Sequence, residues 1–169
     1  MDGIEVGLVE MLERRERRAG LQGEMLRRYR CPLVSYSMNI PGPIKTNGGI
    51  RAAFERGKAL LLRGLAELGC PVNAREESHD ATGDELILSV EAPADALKEL
   101  TTRIEESHPV GRLYDMDVID ADGVKLSRPS FRRCLICGRQ AQECARARAH
   151  SVAEMQDAVE KLHSLNDPD

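Results

Sequence analysis

With 169 residues, 41% of them hydrophobic and 31% charged, the chain suits one compact domain and is too apolar for disorder. Its formal charge of −4 excludes a general nucleic-acid binder, which needs a basic face, and no apolar run approaches the roughly 20 residues of a membrane span. Five cysteines follow a charged N-terminal stretch that does not read as a secretory leader, so reduced thiols or metal ligands in a cytoplasmic compartment are expected.

Ile4, Leu8, Met11 and Leu12 recur at helical spacing, which predicts a first helix from about Ile4 to Ala19 with that stripe as its apolar face. Gly20 and Gly23 predict a weakened or kinked continuation through Met25 and Tyr29, ended by Pro32. Leu33 to Met38 reads as a strand, followed by a rigid loop at Asn39-Ile40-Pro41-Gly42-Pro43. A second helix is expected from about Gly49 to Leu68, with Ile50, Phe54, Leu61, Leu65 and Leu68 on one face and Gly69 as its stop. Val72 to Ser78 and Glu85 to Glu91 read as strands around a turn at Thr82-Gly83-Asp84. Pro93 opens a third helix that ends near His108-Pro109. Leu113 to Ile119 is a strand, turned by Asp120-Ala121-Asp122-Gly123 into a partner at Val124 to Leu126. Ser151 and Glu154 have capping-box spacing ahead of a tail helix bearing Val152, Met155, Val159 and Leu162. Irregular alternation with hairpins predicts an α+β fold, a mixed or antiparallel sheet packed by helices. A boundary near Arg128-Pro129-Ser130 divides a core, 1–128, from a basic Cys-containing segment with a terminal helix, 129–169, the two packed as one domain.

Three groups of residues carry possible chemistry. On a strand through Tyr114-Asp115-Met116-Asp117-Val118, side chains alternate, so Asp115 and Asp117 share a face. Paired carboxylates on a rigid strand suit Mg²⁺, which bridges protein carboxylates to substrate phosphates; an acidic solvent-facing strand is the plainer reading. In the loop after the first strand, Pro41 and Pro43 fix the backbone and Gly42 permits close approach, while Asn39 could orient a ribose or amide and Lys45 meet a phosphate. Cys134-Leu135-Ile136-Cys137-Gly138, followed by Cys144 and His150, reads either as a Cys₃His zinc site or as reduced, half-buried thiols. Charge is also uneven: Lys125 to His150 carries a net +6, against −10 for the rest, which fits a polyanionic ligand, an acidic partner or a solvated basic face.

Pro32 to Lys45, His108-Pro109-Val110-Gly111-Arg112 running into Asp115 and Asp117, and Arg133-Cys134 to His150-Ser151 together resemble the citrate lyase holo-acyl-carrier-protein synthase family. That family is also called apo-citrate lyase phosphoribosyl-dephospho-CoA transferase, and the resemblance spans about Leu12 to Leu162. It implies transfer of the phosphoribosyl-dephospho-CoA group from 2′-(5″-triphosphoribosyl)-3′-dephospho-CoA to a serine of the lyase's acyl-carrier (gamma) subunit, with release of pyrophosphate. It further implies Mg²⁺ on Asp115 and Asp117, a substrate side formed by Asn39, Pro41, Gly42, Lys45, Gly111, Arg112, Arg146 and Arg148, and Glu91 as the nearest candidate for a third carboxylate. No Gly-Ser pair precedes Asp115, so the nucleotidyltransferase reaction does not carry that fold with it. Two other readings stand beside this one: a zinc-bearing adaptor for an acidic partner, and a nucleotidyltransferase that takes an ordinary nucleotide.

Overall fold

A computed structural model describes residues 1–164. Helix α1 (Leu8–Tyr29) leads into β1 (Leu33–Met38), α2 (Gly48–Glu67), and the hairpin of β2 (Val72–Asp80) and β3 (Gly83–Val90). Next come α3 (Ala94–Ser107), a 3₁₀ turn at Gly111–Leu113, β4 (Tyr114–Ile119), α4 (Ala141–Arg146) and α5 (Val152–Ser164). All strand pairs are antiparallel, in the order β2-β3-β1-β4, so the α+β expectation holds and the sheet is wholly antiparallel.

The strands are two-faced because their side chains alternate. Val34 and Tyr36 of β1, Leu86, Leu88 and Val90 of β3, and Tyr114, Met116 and Val118 of β4 enter one core with α2 and α3. Helix α2 supplies Ala53, Phe54, Leu61 and Leu65 to it, and Asn47 caps that helix by accepting from the Ile50 N–H at 2.9 Å. Helix α3 adds Leu97, Leu100 and Ile104. A smaller cluster of Met25, Leu33, Ile87 and Ile119 carries α1 on the sheet. A third, of Ile40, Ile50, Leu113 and Val159, joins the loop after β1 to α5 and takes in Leu135 at its edge.

Three local expectations are corrected. Helix α1 runs unbroken through Gly20 and Gly23, because tertiary anchoring outweighs a helix-propensity cost of about 1 kcal/mol per glycine. Its anchor is the salt bridge from Arg14 Nε to Glu85 Oε1 at 2.8 Å and from Arg18 Nη1 to the same oxygen at 2.6 Å. Moreover, the apolar stripe at its start does not enter the core: Ile4, Leu8 and Leu12 are exposed, Leu8 by 75%. Finally, the strand expected at Val124 to Leu126 is reduced to a bridge between Ile119 and Lys125, with the Leu126 N–H donating to the Val118 carbonyl at 2.9 Å. No helix among the described residues is long and apolar enough to cross a membrane.

Candidate active site

Strand β4 lies at the end of the sheet, with one edge open. An open edge leaves backbone groups that must find partners. Here Glu105 Oε1 accepts from the Met116 N–H at 2.7 Å, Arg132 donates to the Tyr114 carbonyl, and Leu126 closes on Val118. The chain beyond β4 therefore folds along that edge, and a cleft of about 1300 Å³ opens between them.

Alternation on β4 decides what faces the cleft. Tyr114, Met116 and Val118 are buried in the core, so Asp115 and Asp117 turn away from it together, beside Ser37 and Ser35 of β1. Asp115 is 45% exposed and Asp117 28%, and both line the cleft. Lys125 Nζ sits 2.6 Å from Asp117 Oδ2, and Arg132 Nη2 lies 3.9 Å from Asp115 Oδ1. These two carboxylates make no protein-only cation cage with a third ligand among the described residues. They fit Mg²⁺ in the manner usual for that ion, one or two carboxylates with the remaining positions left to water and phosphate oxygens.

Around the pair is a cationic rim that the sequence reading only partly anticipated. Arg112 and Arg148 line the cleft as expected, joined by Lys98, Arg128 and Arg132. Glu105 is the buried carboxylate beside the pair: Arg132 Nη2 approaches its Oε1 at 2.8 Å and Arg128 Nη2 its Oε2 at 3.1 Å. Burial raises the Glu105 carboxyl above its ordinary value, against the pull of Arg132, the Met116 N–H and Arg128. Burial likewise lowers Lys98, and Arg112 is lowered by burial and by Arg132 and Arg128 beside it. Glu91, the third-carboxylate candidate of the sequence reading, is exposed past the end of β3 and does not line the cleft.

Of the other expected substrate residues, Asn39 and Pro41 line the cleft. Gly42 does not: at φ +81° it lies under α5, where an added Cβ would meet Gln156 Nε2 at 2.6 Å, so the close neighbour it admits is a helix. Lys45 turns inward and donates to the Ile40 carbonyl at 2.7 Å, its ammonium lowered by burial. Gly111 packs on the end of α3, 2.3 Å from the Glu105 carbonyl at the position of an added Cβ. Arg146 is exposed and outside the cleft. His108 caps its own loop, accepting from the Val110 N–H at 3.3 Å, and faces the Tyr114 hydroxyl, which burial pushes up to about 12.

The far wall of the cleft contains Cys134, Cys144 and His150, and the ligand atoms of these three and Cys137 all lie within 4.8 Å of one another. Cys137 is pulled down to about 5 by hydrogen bonds from the Arg139 side chain and backbone, then from His150 and Cys144.

The family described as apo-citrate lyase phosphoribosyl-dephospho-CoA transferase matches residues 6–165. A protein of that name from Citrobacter koseri is 39% identical over 168 residues, covering 97% of this chain and 91% of the relative. Proteins of the same name from Shigella boydii serotype 18 and Escherichia coli are each 38% identical over 168 residues, with the same coverage.

Proposed function

This chain belongs to the apo-citrate lyase phosphoribosyl-dephospho-CoA transferase family, and we propose that it moves the phosphoribosyl-dephospho-CoA group from 2′-(5″-triphosphoribosyl)-3′-dephospho-CoA to a serine of the lyase's acyl-carrier subunit. The observation that carries this reading is the cleft itself: two adjacent carboxylates on an edge strand, facing Lys98, Arg112, Arg128, Arg132 and Arg148. Its volume of about 1300 Å³ exceeds the roughly 300–1,000 Å³ usual for small-ligand sites and suits a long donor that carries a polyphosphate.

In the transfer, the serine oxygen attacks the phosphorus attached to the ribose, and a new P–O ester bond forms. The bond to the outer two phosphates breaks, its electron pair leaves with pyrophosphate, and the hydroxyl proton passes to a carboxylate oxygen of the Asp115/Asp117 pair. Arg112 and Arg148 hold the leaving phosphates through charge-assisted hydrogen bonds, which are roughly twice as strong as neutral ones. Arg132, held between Glu105 and the Tyr114 carbonyl, fixes the strand that presents the carboxylates. Asp115 and Asp117 would hold Mg²⁺, which supplies charge neutralisation on the phosphates when bound. The rest of the rate comes from positioning. A basic outer surface, including Arg146, is left for an acidic carrier, and the setting is the cytoplasm.

The test is direct. The chain is incubated with the triphosphoribosyl donor, Mg²⁺ and apo carrier subunit, and the carrier is weighed intact. A mass gain equal to one phosphoribosyl-dephospho-CoA group, with pyrophosphate released in equal amount, is the expected result. An unmodified carrier, or equal transfer from ATP or CTP, overturns the proposal.

A further inference from the structure

Residues 129–149 have almost no core of their own. Phe131 is 63% exposed and Ile136 is exposed, and the only buried side chains in the stretch are Cys134 and Cys144. A segment with so little apolar burial has little to offset the entropy lost in ordering it. Yet its backbone is closely organised, and the organisation converges on sulfur.

The Cys134–Cys137 turn folds back on itself. The Gly138 N–H donates to the Cys134 carbonyl at 3.2 Å, and the Cys134 N–H to the Arg139 carbonyl at 2.6 Å. Gly138 sits at φ +72°, a conformation open to glycine at little cost, which brings both thiols to one side. Helix α4 then presents Cys144, and the Ala149 N–H closes on the Cys144 carbonyl at 3.0 Å, which returns the chain to His150. As a result Cys137 Sγ lies 3.4 Å from Cys144 Sγ and 3.3 Å from His150 Nε2. In a regular tetrahedron with Zn–S bonds of about 2.3 Å, sulfurs stand about 3.8 Å apart, and the four ligand atoms here already lie within 4.8 Å of one another, so closing on one ion requires shifts of about an ångström or less.

We propose that Cys134, Cys137, Cys144 and His150 bind one Zn²⁺ as a closed structural site, and that this ion fastens residues 131–150 as the far wall of the cleft. Three thiolates and an imidazole select a borderline-soft ion. Four protein ligands leave no position for water or substrate, so the ion holds the fold and takes no part in catalysis. Arg139 Nε, 3.5 Å from Cys137 Sγ, supplies a counter-charge to the thiolates, as groups outside a ligand shell commonly do. A disulfide would engage two of the three thiols and leave the third and the imidazole idle, whereas a single ion engages all four. Arg132 and Arg148, which line the cleft, lie on either side of the Cys134–Cys144 span, so the metal fixes where both are offered.

The experiment uses the untagged wild-type chain, purified without chelator, with metals measured by mass spectrometry. About one zinc per chain is expected, with nearly all of it lost in Cys137→Ser, the most exposed ligand, and retained in Cys70→Ser, which stands outside the cluster. The reduced, metal-stripped wild type, titrated with Co²⁺, should develop the visible absorption of a tetrahedral thiolate site, displaced by Zn²⁺. Amide hydrogen exchange across 131–150 should accelerate on stripping and recover with Zn²⁺, while β1 to β4 stay protected. A wild type that holds no zinc and takes up neither ion overturns the site, as does full zinc retention in Cys137→Ser. Unchanged exchange across 131–150 overturns the fastening role. Neither donor nor carrier enters these measurements, so the outcome is separable from that of the transfer assay.

Discussion

Asp115→Asn and Asp117→Asn should separate catalysis from folding, because the structure gives the two carboxylates little structural work. Asp117 loses its ion pair with Lys125, whose side chain is 62% exposed, and such surface pairs contribute about 0–1 kcal/mol. Asp115 has Arg132 at 3.9 Å, but Arg132 keeps its closer partner, Glu105, at 2.8 Å. Each variant should therefore unfold in urea within about 1 kcal/mol of the parent. Activity should respond far more. An amide is neutral and a poor ligand for a hard cation, and removing one preorganised group at a site of developing charge typically costs about 10²–10³ in rate. The assay is a time course of carrier mass at saturating donor and Mg²⁺, run beside a urea titration of the same preparations. Turnover within about threefold of wild type for both variants would remove the pair from the mechanism. Loss of stability by several kcal/mol would refute the claim that the pair is structurally idle.

Arg148→Ala should raise the donor KM and lessen its dependence on salt, since exposed charges are screened over about 8 Å at physiological ionic strength, whereas Arg146→Ala, outside the cleft, should leave the donor KM unchanged. Gly111→Ala would set a methyl group 2.3 Å from the Glu105 carbonyl, so chemical denaturation should show a loss of about 1–3 kcal/mol; an unchanged stability with weakened donor binding would make Gly111 a substrate contact instead. Burial works against the Glu77 carboxylate, but hydrogen bonds from Lys58 and Arg75 outweigh it and hold the group at about 2. Because that value is depressed, the stabilisation is fully present above the unfolded value near 4.5 and is lost as pH falls towards 2. Glu77→Gln should flatten the urea-stability profile across that window.

The sheet and the two helices of the main core were legible because their patterns are local. Leu33–Met38, the α2 face from Ile50 to Leu65, and the Ser151–Glu154 cap each announce themselves within a few residues. The first helix was misjudged for the opposite reason. Its apolar stripe at Ile4, Leu8 and Leu12 is a valid helical pattern, but the sheet takes its contact through Arg14 and Met25 instead. A buried Arg14 is set by Glu85, some seventy positions away, and no window of sequence contains both. Arg128 and Arg132 were counted as part of a basic stretch, but their pairing to Glu105 needs the geometry of the β4 edge. The sequence reads Gly42 as open to a ligand and Gly111 as part of the substrate side, whereas the fold sets α5 against the first and the end of α3 against the second.

Strand β4 concentrates the site for a reason that begins with the sheet. A strand at an edge must satisfy its outer backbone groups, and this one does so with two charged side chains and the Leu126 N–H, not with another full strand. Glu105 reaches the Met116 N–H only by being buried, and a buried carboxylate requires nearby cations. Arg128 and Arg132 meet that demand, and in doing so they stand along the same edge as Asp115 and Asp117. Alternation does the rest: while Tyr114, Met116 and Val118 belong to the core, the two aspartates have no choice but to share the cleft. In the proposed transfer, edge protection and phosphate chemistry thus draw on one set of residues. For that reason Glu105→Gln should impair both, lowering stability and loosening the strand that presents the carboxylates, where Asp115→Asn should impair only transfer.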